Sequence, residues 1–409
     1  MQNHIKFLFL ITLFFIFSSC SENVLPNIET PEQLNTSLQK SYKKSNFGGF
    51  SVAVIKNGEV AFQKSYGKAN IEQNIDLTNQ TSMNIASISK VFIGISLVKA
   101  IEEGYFTLET PINSILPFEI KNPFFPNQPI LIKHLVTHTS GIKDDEAIYF
   151  QNYHILQGED TSSKGAQRMI NELGIKANGT PASLANFLKS YLSTEGTLYK
   201  KENFVNASLG SEYSYSNVGS ALAAYLIEIV TNTSFDKYSK KVIFEPLQMN
   251  NTAWHKSELK ANLVSVQFFD AQTPLPAYTM ATYPDGSLLT SIEDMTVFMQ
   301  EMMKAKAGQS SLLLSKESYQ LLFDKKLENR PKQMPEKEDN YGVFWLWSKN
   351  GRIGHTGGDI GTTTFFGFDP TTNSGSIVLI NSNVEESGEL SLKVLKEIVL
   401  AYKAFESAD

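Results

Sequence analysis

The chain has 409 residues, of which 42% are hydrophobic and 19% charged, as in a globular protein with one large core or two smaller ones. This composition excludes the collagen-like, disordered and multi-span membrane classes. Because 36 basic residues face 42 acidic ones, for a net charge of -6, the sequence predicts no nucleic-acid partner.

An apolar run near the N-terminus predicts export. Residues 7–17 are apolar except for one Thr, and the run is about half of the ~20 residues that a membrane-spanning helix needs, which is typical of a signal peptide. Ser18 and Ser19 lead into Cys20, the single cysteine, and this pattern resembles a bacterial lipoprotein signal. We therefore predict a signal peptide at residues 1–19 and a periplasmic or outer-surface lipoprotein, anchored to a bacterial membrane by a lipid on Cys20. A plain secretory signal with an incidental cysteine is the alternative.

The next segments predict a tether, a hairpin and a buried helix. Residues 20–46 form the tether and a first helix at 31–44, because Pro31 suits a first helical turn. Residues 49–56 and 59–65 flank Asn57-Gly58, which supplies the positive φ angles of a two-residue hairpin turn. Residues 86–103 are apolar on nearly every face and end at Gly104, as in a buried helix.

The rest of the chain alternates helical and strand patterns. Helices are predicted at 132–137, 183–191, 218–230, 235–242, 291–304 and 389–404, and strands at 341–348, 352–355, 362–369 and 376–381. The polar stretch 143–201 predicts a lid or a substrate-facing insertion. This order indicates an α+β fold for residues 47–405: an α/β sandwich with an antiparallel sheet flanked by helices (47–81 and 275–405), and an inserted all-helical domain (82–274).

Several kinds of chemistry lack their motifs. Six histidines show no His-Glu-x-x-His pattern and have no cysteine partners, so we predict no metal, and the pair His134 and His138 is interpreted as structural. The Gly-x-Ser-x-Gly elbow of the α/β-hydrolases and the phosphate-binding P-loop are absent as well. The sequence therefore predicts an activity without a cofactor.

A Ser-x-x-Lys tetrad opens the predicted buried helix. At least eight such tetrads occur, so only the position of Ser87-Ile88-Ser89-Lys90 gives it weight. In a first helical turn, residues three apart point the same way, so the Lys90 amine can reach the Ser87 hydroxyl. Burial and the helix dipole disfavour the charged amine, which lowers the pKa of Lys90 and lets it take the serine proton. The alternative is an N-cap serine followed by a lysine that extends to solvent.

Two further segments fit the same chemistry. Tyr215 is the one tyrosine among sixteen that heads a Tyr-x-Asn, and its phenol can shuttle a proton if Lys90 lowers its pKa. Asn217 can hold both Lys90 and a substrate carbonyl, because its amide donates and accepts. In the segment 354–358, glycines allow a substrate to approach and a backbone N–H to face an oxyanion. The alternatives are a helix N-cap at Asn217 and a tight glycine turn.

Taken in order, Ser87-x-x-Lys90, Tyr215-x-Asn217 and His355-Thr356-Gly357 resemble the three motifs of the serine β-lactamase and penicillin-binding-protein superfamily, in its class C-type branch. Segments 85–90, 134–141, 243–247 and 285–290 are similar to phrases that recur there, so the resemblance covers about residues 47–385.

The resemblance implies a β-lactamase/transpeptidase-like fold and acyl transfer through an ester on Ser87. General base and acid duties would be shared by Lys90 and Tyr215. The oxyanion hole would use the backbone N–H groups of Ser87 and Gly358. Further substrate-binding residues would be Asn217, His355, Thr356 and Gly357.

One departure narrows the expected substrate. His355 stands where dedicated β-lactamases of this branch carry Lys, and a histidine largely neutral at pH 7 anchors a carboxylate poorly, so we expect β-lactamase activity to be weak or absent. The sequence predicts a serine hydrolase acting on a small molecule or peptide, either a D-amino-acid peptide or a small ester. Two alternatives stay open: a catalytically silent, ligand-sensing lipoprotein of the same fold, and a purely structural envelope lipoprotein.

Overall fold

The computed structural model describes residues 25–385 and 387–408. The predicted signal peptide, Cys20 and the first residues of the predicted tether lie outside these ranges. Within them, none of the helices combines the length and the apolar content needed to cross a bilayer.

Eight strands form one antiparallel sheet, in the order β3-β2-β1-β12-β11-β10-β9-β8. The strands are β1 (Gly49–Lys56), β2 (Glu59–Asn70), β3 (Ile75–Asp76), β8 (Glu338–Tyr341), β9 (Leu346–Ser348), β10 (Ile353–Asp359), β11 (Thr362–Asp369) and β12 (Ser374–Ile380). Two short pairs lie outside the sheet: β4 (Met83–Asn84) with β7 (Leu289–Thr290), and β5 (Tyr153–Ile155) with β6 (Tyr278–Met280). The two ends of the chain therefore meet in the sheet, where β1 pairs with β12.

Twelve α-helices are described, and a 3-10 turn (Ala86–Ile88) precedes the second. They are α1 (Pro31–Lys44), α2 (Ser89–Glu102), α3 (Ile132–Val136), α4 (Glu146–Phe150), α5 (Lys164–Leu173), α6 (Leu184–Leu192), α7 (Asn217–Thr231), α8 (Phe235–Ser239), α9 (Glu245–Leu247), α10 (Ile292–Lys306), α11 (Lys316–Phe323) and α12 (Glu389–Ser407). A π-helical turn (Lys240–Phe244) joins α8 to α9.

The alternation of side chains across the strands divides the core into two layers. Val52 and Val54 of β1 pack on one face of the sheet, in a cluster that includes residues of α1 and α12. Ala53 and Ile55 point to the other face, in the main core with α2, α7 and α10. The predicted α+β class, a large antiparallel sheet flanked by helices, is confirmed. The domain boundaries at residues 81 and 275 remain a prediction.

The predicted hairpin is confirmed, and its turn shows why. Asn57 and Gly58 have φ angles of 54° and 81°, which a two-residue turn between twisted strands requires. The prediction of one strand at 341–348 is wrong, because the chain turns inward between β8, which ends at Tyr341, and β9, which begins at Leu346. A Cβ on Gly94 of α2 would lie 2.2 Å from the carbonyl oxygen of Val343, so the turn packs tightly against this helix.

The stretch 143–201 is more regular than its sequence indicates. It contains α4, α5 and α6, and its strand β5 pairs with β6 from beyond the helical region. Of these elements only α6 was predicted, as the helix at 183–191. The stretch does face the cleft of Ser87, because Tyr149 and Tyr153 line it.

Candidate active site

Ser87 lies on the 3-10 turn before the buried helix α2, and its side chain is buried. The preceding residue, Ala86, has a φ of 47°, a conformation that strains a residue with a Cβ. The side chain of Asn84 accepts a hydrogen bond from the Ala86 backbone N–H at 2.6 Å, which helps to hold this turn. Ser87 also lines a narrow cleft together with Asn217 and Gly358.

Lys90 is fully buried one turn further along the same segment. Its Nζ donates to Ser87 Oγ at 3.0 Å, to Asn217 Oδ1 at 2.7 Å and to the backbone oxygen of Asp285 at 2.7 Å. Burial lowers the pKa of Lys90 to about 8, although nearby carboxylates raise it. A minor fraction of Lys90 is thus neutral near pH 7, more than for an ordinary lysine, and a neutral amine can accept the Ser87 proton.

Tyr215 stands beside the same pair. The Lys90 Nζ lies 5.1 Å from the centroid of its ring, and the ring of His138 packs against the tyrosine at 4.4 Å between centroids. Burial raises the pKa of Tyr215 well above its usual value, and the neighbouring Ser87 offsets only part of this effect. The expectation that Lys90 lowers this pKa is therefore wrong. The Tyr215 phenol is therefore protonated near neutral pH, which is the form that can donate a proton.

Strand β10 carries the third predicted motif and packs against the turn of Ser87. A Cβ on Gly357 would lie 2.4 Å from the carbonyl oxygen of Ile85, so glycine permits this close approach. Strand β9 pairs with β10 only at Ile353 and Gly354, which leaves the following part of that edge without a strand partner among the described residues.

His355 and Thr356, both predicted to bind substrate, have different surroundings in the structure. The His355 ring lies 6.2 Å from that of Tyr215, and burial lowers the pKa of His355 to about 3, so the imidazole is neutral. Thr356 pairs with Phe365, which belongs to the core on the opposite face of the sheet. Any contact of Thr356 with a substrate would therefore use its backbone.

Asp144 holds the start of the helix that carries Asn217, a role that the sequence analysis missed. Its carboxylate accepts from the Ser216 hydroxyl at 2.7 Å and from the backbone N–H groups of Asn217 and Val218 at 2.6 and 3.2 Å. Burial raises the pKa of Asp144, partly offset by these hydrogen bonds. The one sequence signal for this role is an Asp shortly after the His138–Gly141 segment. It was not sufficient, because Asn217, to which Asp144 bonds, lies 73 residues away.

Two further carboxylates, Asp285 and Asp359, line the cleft of Ser87 and were not predicted to act there. Burial raises the pKa of Asp285 to about 7, partly offset by Lys90, and raises that of Asp359 to about 6. Two carboxyl groups therefore lie beside Ser87, and their raised pKa values leave a share of each protonated near neutral pH.

A possible set of metal ligands lies elsewhere. Atoms of Asp236, His255 and Glu258 lie within 4.8 Å of one another, and the ammonium of Lys240 is 3.7 Å from Glu258, where it would repel a metal cation. None of these residues lines the cleft. That the activity needs no metal or cofactor stays a prediction.

Comparison with known proteins gives one consistent family. The model of the family described as Beta-lactamase matches residues 34–400. "Protein flp" of Staphylococcus aureus (strain COL) is 23% identical over 363 residues, which cover 87% of this chain and 64% of that protein. The "Putative penicillin-binding protein PbpX" of Bacillus subtilis (strain 168) is 24% identical over 374 residues, 88% of this chain and 78% of its own length.

Solved structures agree in fold. The octameric penicillin-binding protein homologue from Pyrococcus abyssi superposes with a TM-score of 0.66 and 25% identity, covering 86% of this chain and 73% of that one. A penicillin binding protein from Bacillus halodurans gives a TM-score of 0.62 at 20% identity, over 88% and 98% of the two chains. The chain spans about 64% of the length of the staphylococcal relatives.

Proposed function

The chain belongs to the Beta-lactamase family, and from this premise we propose that it is a serine hydrolase that forms a covalent acyl-enzyme on Ser87. The family consists of serine acyl-transferases and hydrolases. The observation that carries the proposal is the 3.0 Å contact between the buried Lys90 Nζ and Ser87 Oγ, together with the lowered pKa of that lysine. The substrate is an ester or an amide.

In acylation, the neutral Lys90 amine takes the proton of the Ser87 hydroxyl as Oγ attacks the substrate carbonyl carbon. The carbonyl oxygen becomes an oxyanion, which the backbone N–H groups of Ser87 and Gly358 stabilise. Asn217 keeps the lysine in place, since its Oδ1 accepts from Nζ. One O–H bond breaks, one C–O bond forms, and the proton resides on Lys90.

Collapse of this intermediate breaks the bond to the leaving group. Tyr215 gives its proton to the departing nitrogen or oxygen, because its raised pKa keeps the phenol protonated until that moment. The proton held on Lys90 then restores the phenol. Water attacks the ester, Lys90 takes a proton from this water, and the Ser87 oxygen leaves as a hydroxyl when that proton returns to it.

The charges of the site support a substrate other than a β-lactam. A β-lactam carries a carboxylate, and the neutral His355 offers it no positive charge. In their ionised forms, Asp285 and Asp359 repel it further. We therefore propose weak or absent β-lactamase activity, and a D-amino-acid peptide or small ester as substrate. Placement in the class C-type branch rests on the sequence motifs alone.

The test combines a serine-reactive probe with turnover. Purified wild type and Ser87→Ala are incubated with a fluorophosphonate, and the mass of the adduct is measured. In a separate experiment they are incubated with a short-chain p-nitrophenyl ester, and the released phenol is measured. We expect a single adduct and turnover in the wild type, and neither in Ser87→Ala. A well-folded wild type that shows neither would overturn the hydrolase proposal and favour a silent, ligand-sensing protein.

We further propose that the protein is exported and anchored to a bacterial membrane through Cys20, on the support of residues 7–20 of the sequence. Expression of wild type and Cys20→Ala in a bacterial host with radiolabelled palmitate tests this. Label and membrane fractionation in the wild type, lost in Cys20→Ala, support the anchor. An unlabelled, processed wild type indicates a plain secretory signal.

A further inference from the structure

Asp285 presents an unsatisfied carboxylate oxygen in the cleft of Ser87. Its side chain is 1% exposed, and its Oδ1 accepts a hydrogen bond from the Tyr149 hydroxyl at 2.7 Å. Its Oδ2 has no hydrogen-bond partner among the described residues. Leaving a buried acceptor unpaired is costly, so this oxygen is suited to accept a hydrogen bond from a bound molecule.

Asp359 lies in the same cleft, next to Gly358, and its hydrogen bonds are weaker than those a buried carboxylate usually receives. Its Oδ1 accepts from the Ile360 N–H at 2.8 Å, and the hydroxyls of Tyr153 and Tyr278 donate to its two oxygens at 3.3 Å each. Two of these three hydrogen bonds are longer than usual. The carboxylate therefore keeps capacity for a further, charged donor.

The two carboxylates lack a counter-ion. Neither takes part in an ion pair within the described ranges. The nearby Lys90 uses its three donors on Ser87, Asn217 and the Asp285 backbone, so no donor is left for a carboxylate. Burial raises the pKa of both carboxyl groups, and a positive charge bound between them would favour their ionised forms.

The walls and the size of the cleft fit a small cation. The rings of Tyr149 and Tyr153 line it, with centroids 5.6 Å apart, and aromatic faces attract ammonium groups. The cavity volume is about 10 Å³, which admits a group about as large as one water. An ammonium group has this size.

The position of Asp359 at the end of β10 assigns the cleft to one part of the substrate. Asp359 follows His355 by four residues, or about 13 Å of strand. Tyr215, which protonates the leaving group in the proposed mechanism, faces His355, and neither residue lines the cleft of the two acids. The leaving group therefore lies toward Tyr215, and the acyl part lies toward Asp359.

We propose that the acyl part of the substrate carries an ammonium group, bound between Asp285, Asp359 and the two tyrosine rings. The substrates are then esters or amides of small free amino acids rather than of N-blocked or anionic acyl groups. This inference rests on the proposed function, because the acyl group must first reach Ser87.

The test compares two acyl groups of equal shape. D-alanine phenyl ester and isobutyric acid phenyl ester differ in that an ammonium replaces a methyl group, and phenol release gives kcat/KM for both at pH 6.5, below the ordinary α-amino pKa of about 7.7 to 8.0. We expect the ratio of kcat/KM, D-alanyl over isobutyryl, to exceed tenfold after correction for spontaneous hydrolysis. The ratio should fall at least fivefold in Asp285→Asn and in Asp359→Asn.

Asp294→Asn is the matched control, because Asp294 is a buried carboxylate outside the cleft, bonded to Asn251 and Thr252. The ratio of kcat/KM, D-alanyl over isobutyryl, should be the same in Asp294→Asn as in the wild type. A fluorophosphonate adduct on Ser87 with a ratio near one overturns the inference and leaves the hydrolase proposal standing. A ratio that is high but unchanged in both cleft variants also overturns it, and a folded wild type without adduct or turnover overturns both proposals.

Discussion

The side-chain nitrogen of Lys90 lies 3.0 Å from the hydroxyl oxygen of Ser87, and both residues are buried. Among the described residues, no histidine mediates between them: His138 packs against Tyr215, and burial keeps His355 neutral. The site therefore depends on an amine as its base, and the amine can serve because burial lowers its pKa to about 8.

Replacing Lys90 by Met should separate catalysis from packing. Methionine has a similar length but cannot act as a base, so we expect kcat/KM to fall roughly 100- to 10,000-fold. The melting temperature should also fall, because Asn217 Oδ1 and the Asp285 carbonyl oxygen lose their buried donor. Ester turnover and the melting temperature measure the two effects. Turnover within threefold of the wild type would show that Lys90 is a structural lysine.

The pH dependence of kcat/KM should report the ionisation of Lys90. Deprotonation creates the base, so activity on a neutral ester should rise with pH to a plateau, with a midpoint near the lysine pKa of about 8. The charged and titratable groups that face this lysine are Asp144, Asp285, Asp359, Tyr215, His138 and His355.

Removing one of these charges should move the midpoint in a known direction. A nearby carboxylate stabilises the protonated amine, so Asp285→Asn should lower the pKa of Lys90 and shift the profile toward acid pH. Isobutyric acid phenyl ester is used as the substrate because it has no group that titrates in this pH range. A profile that is flat between pH 6 and 9, or that moves toward alkaline pH in the variant, contradicts this account.

Asp144 should act as a positioning residue for Asn217. Asp144→Ala removes three hydrogen bonds at the start of α7, and loss of such a cap destabilises a protein by about 0.5–2 kcal/mol. We expect kcat to fall tenfold or more while KM changes little, because Asn217 no longer holds Lys90 in place. Denaturant unfolding measures the stability change.

Asp144→Asn tests the same role more gently. The amide keeps one acceptor oxygen but turns an N–H toward a backbone N–H, so rescue should be partial and lie between alanine and wild type. A variant with lowered stability but unchanged kcat would restrict Asp144 to a structural role.

Gly357→Ala should disrupt the approach of β10 to the turn of Ser87. The added Cβ would lie 2.4 Å from the Ile85 oxygen, so the strand or the turn has to move. A displacement of about 1 Å can cost about 100-fold in rate, and we expect a loss of that size in kcat/KM. Gly367→Ala on β11 is the control, since its Cβ would meet the Ile353 oxygen at 3.3 Å. Equal loss in both variants would argue against a specific role for Gly357.

Local signals in the sequence were enough for many elements. The hairpin around Asn57-Gly58, the buried helix after Ser87 and the closing strands and helix were predicted from turn chemistry and apolar patterning. The strand at 341–348 failed because the inward turn at Val343 is set by contact with Gly94, about 250 residues away in the chain. Helices α4, α5, α9 and α11 were not predicted.

The residues of the candidate site also divide into those expected from local sequence and those brought together only by folding. Ser87 and Lys90 share one helical turn, so their contact follows from spacing, whereas Asn217 joins them through a contact across 127 residues and was expected from its motif. Asp285 and Asp359 belong to segments that appear unremarkable alone. Their partners Tyr149 and Tyr153 lie 136 and 206 residues away, and only the folded chain brings these groups together.

The most direct test of the central claim is the site of acylation. Purified protein is mixed with a slowly deacylating ester, quenched in acid and digested with trypsin, and the peptide Ala69–Lys90 is analysed by mass spectrometry. The account predicts one acyl group on this peptide, assigned to Ser87 by fragmentation and absent in Ser87→Ala. An acyl group on another residue, or one that persists in Ser87→Ala, would contradict the account.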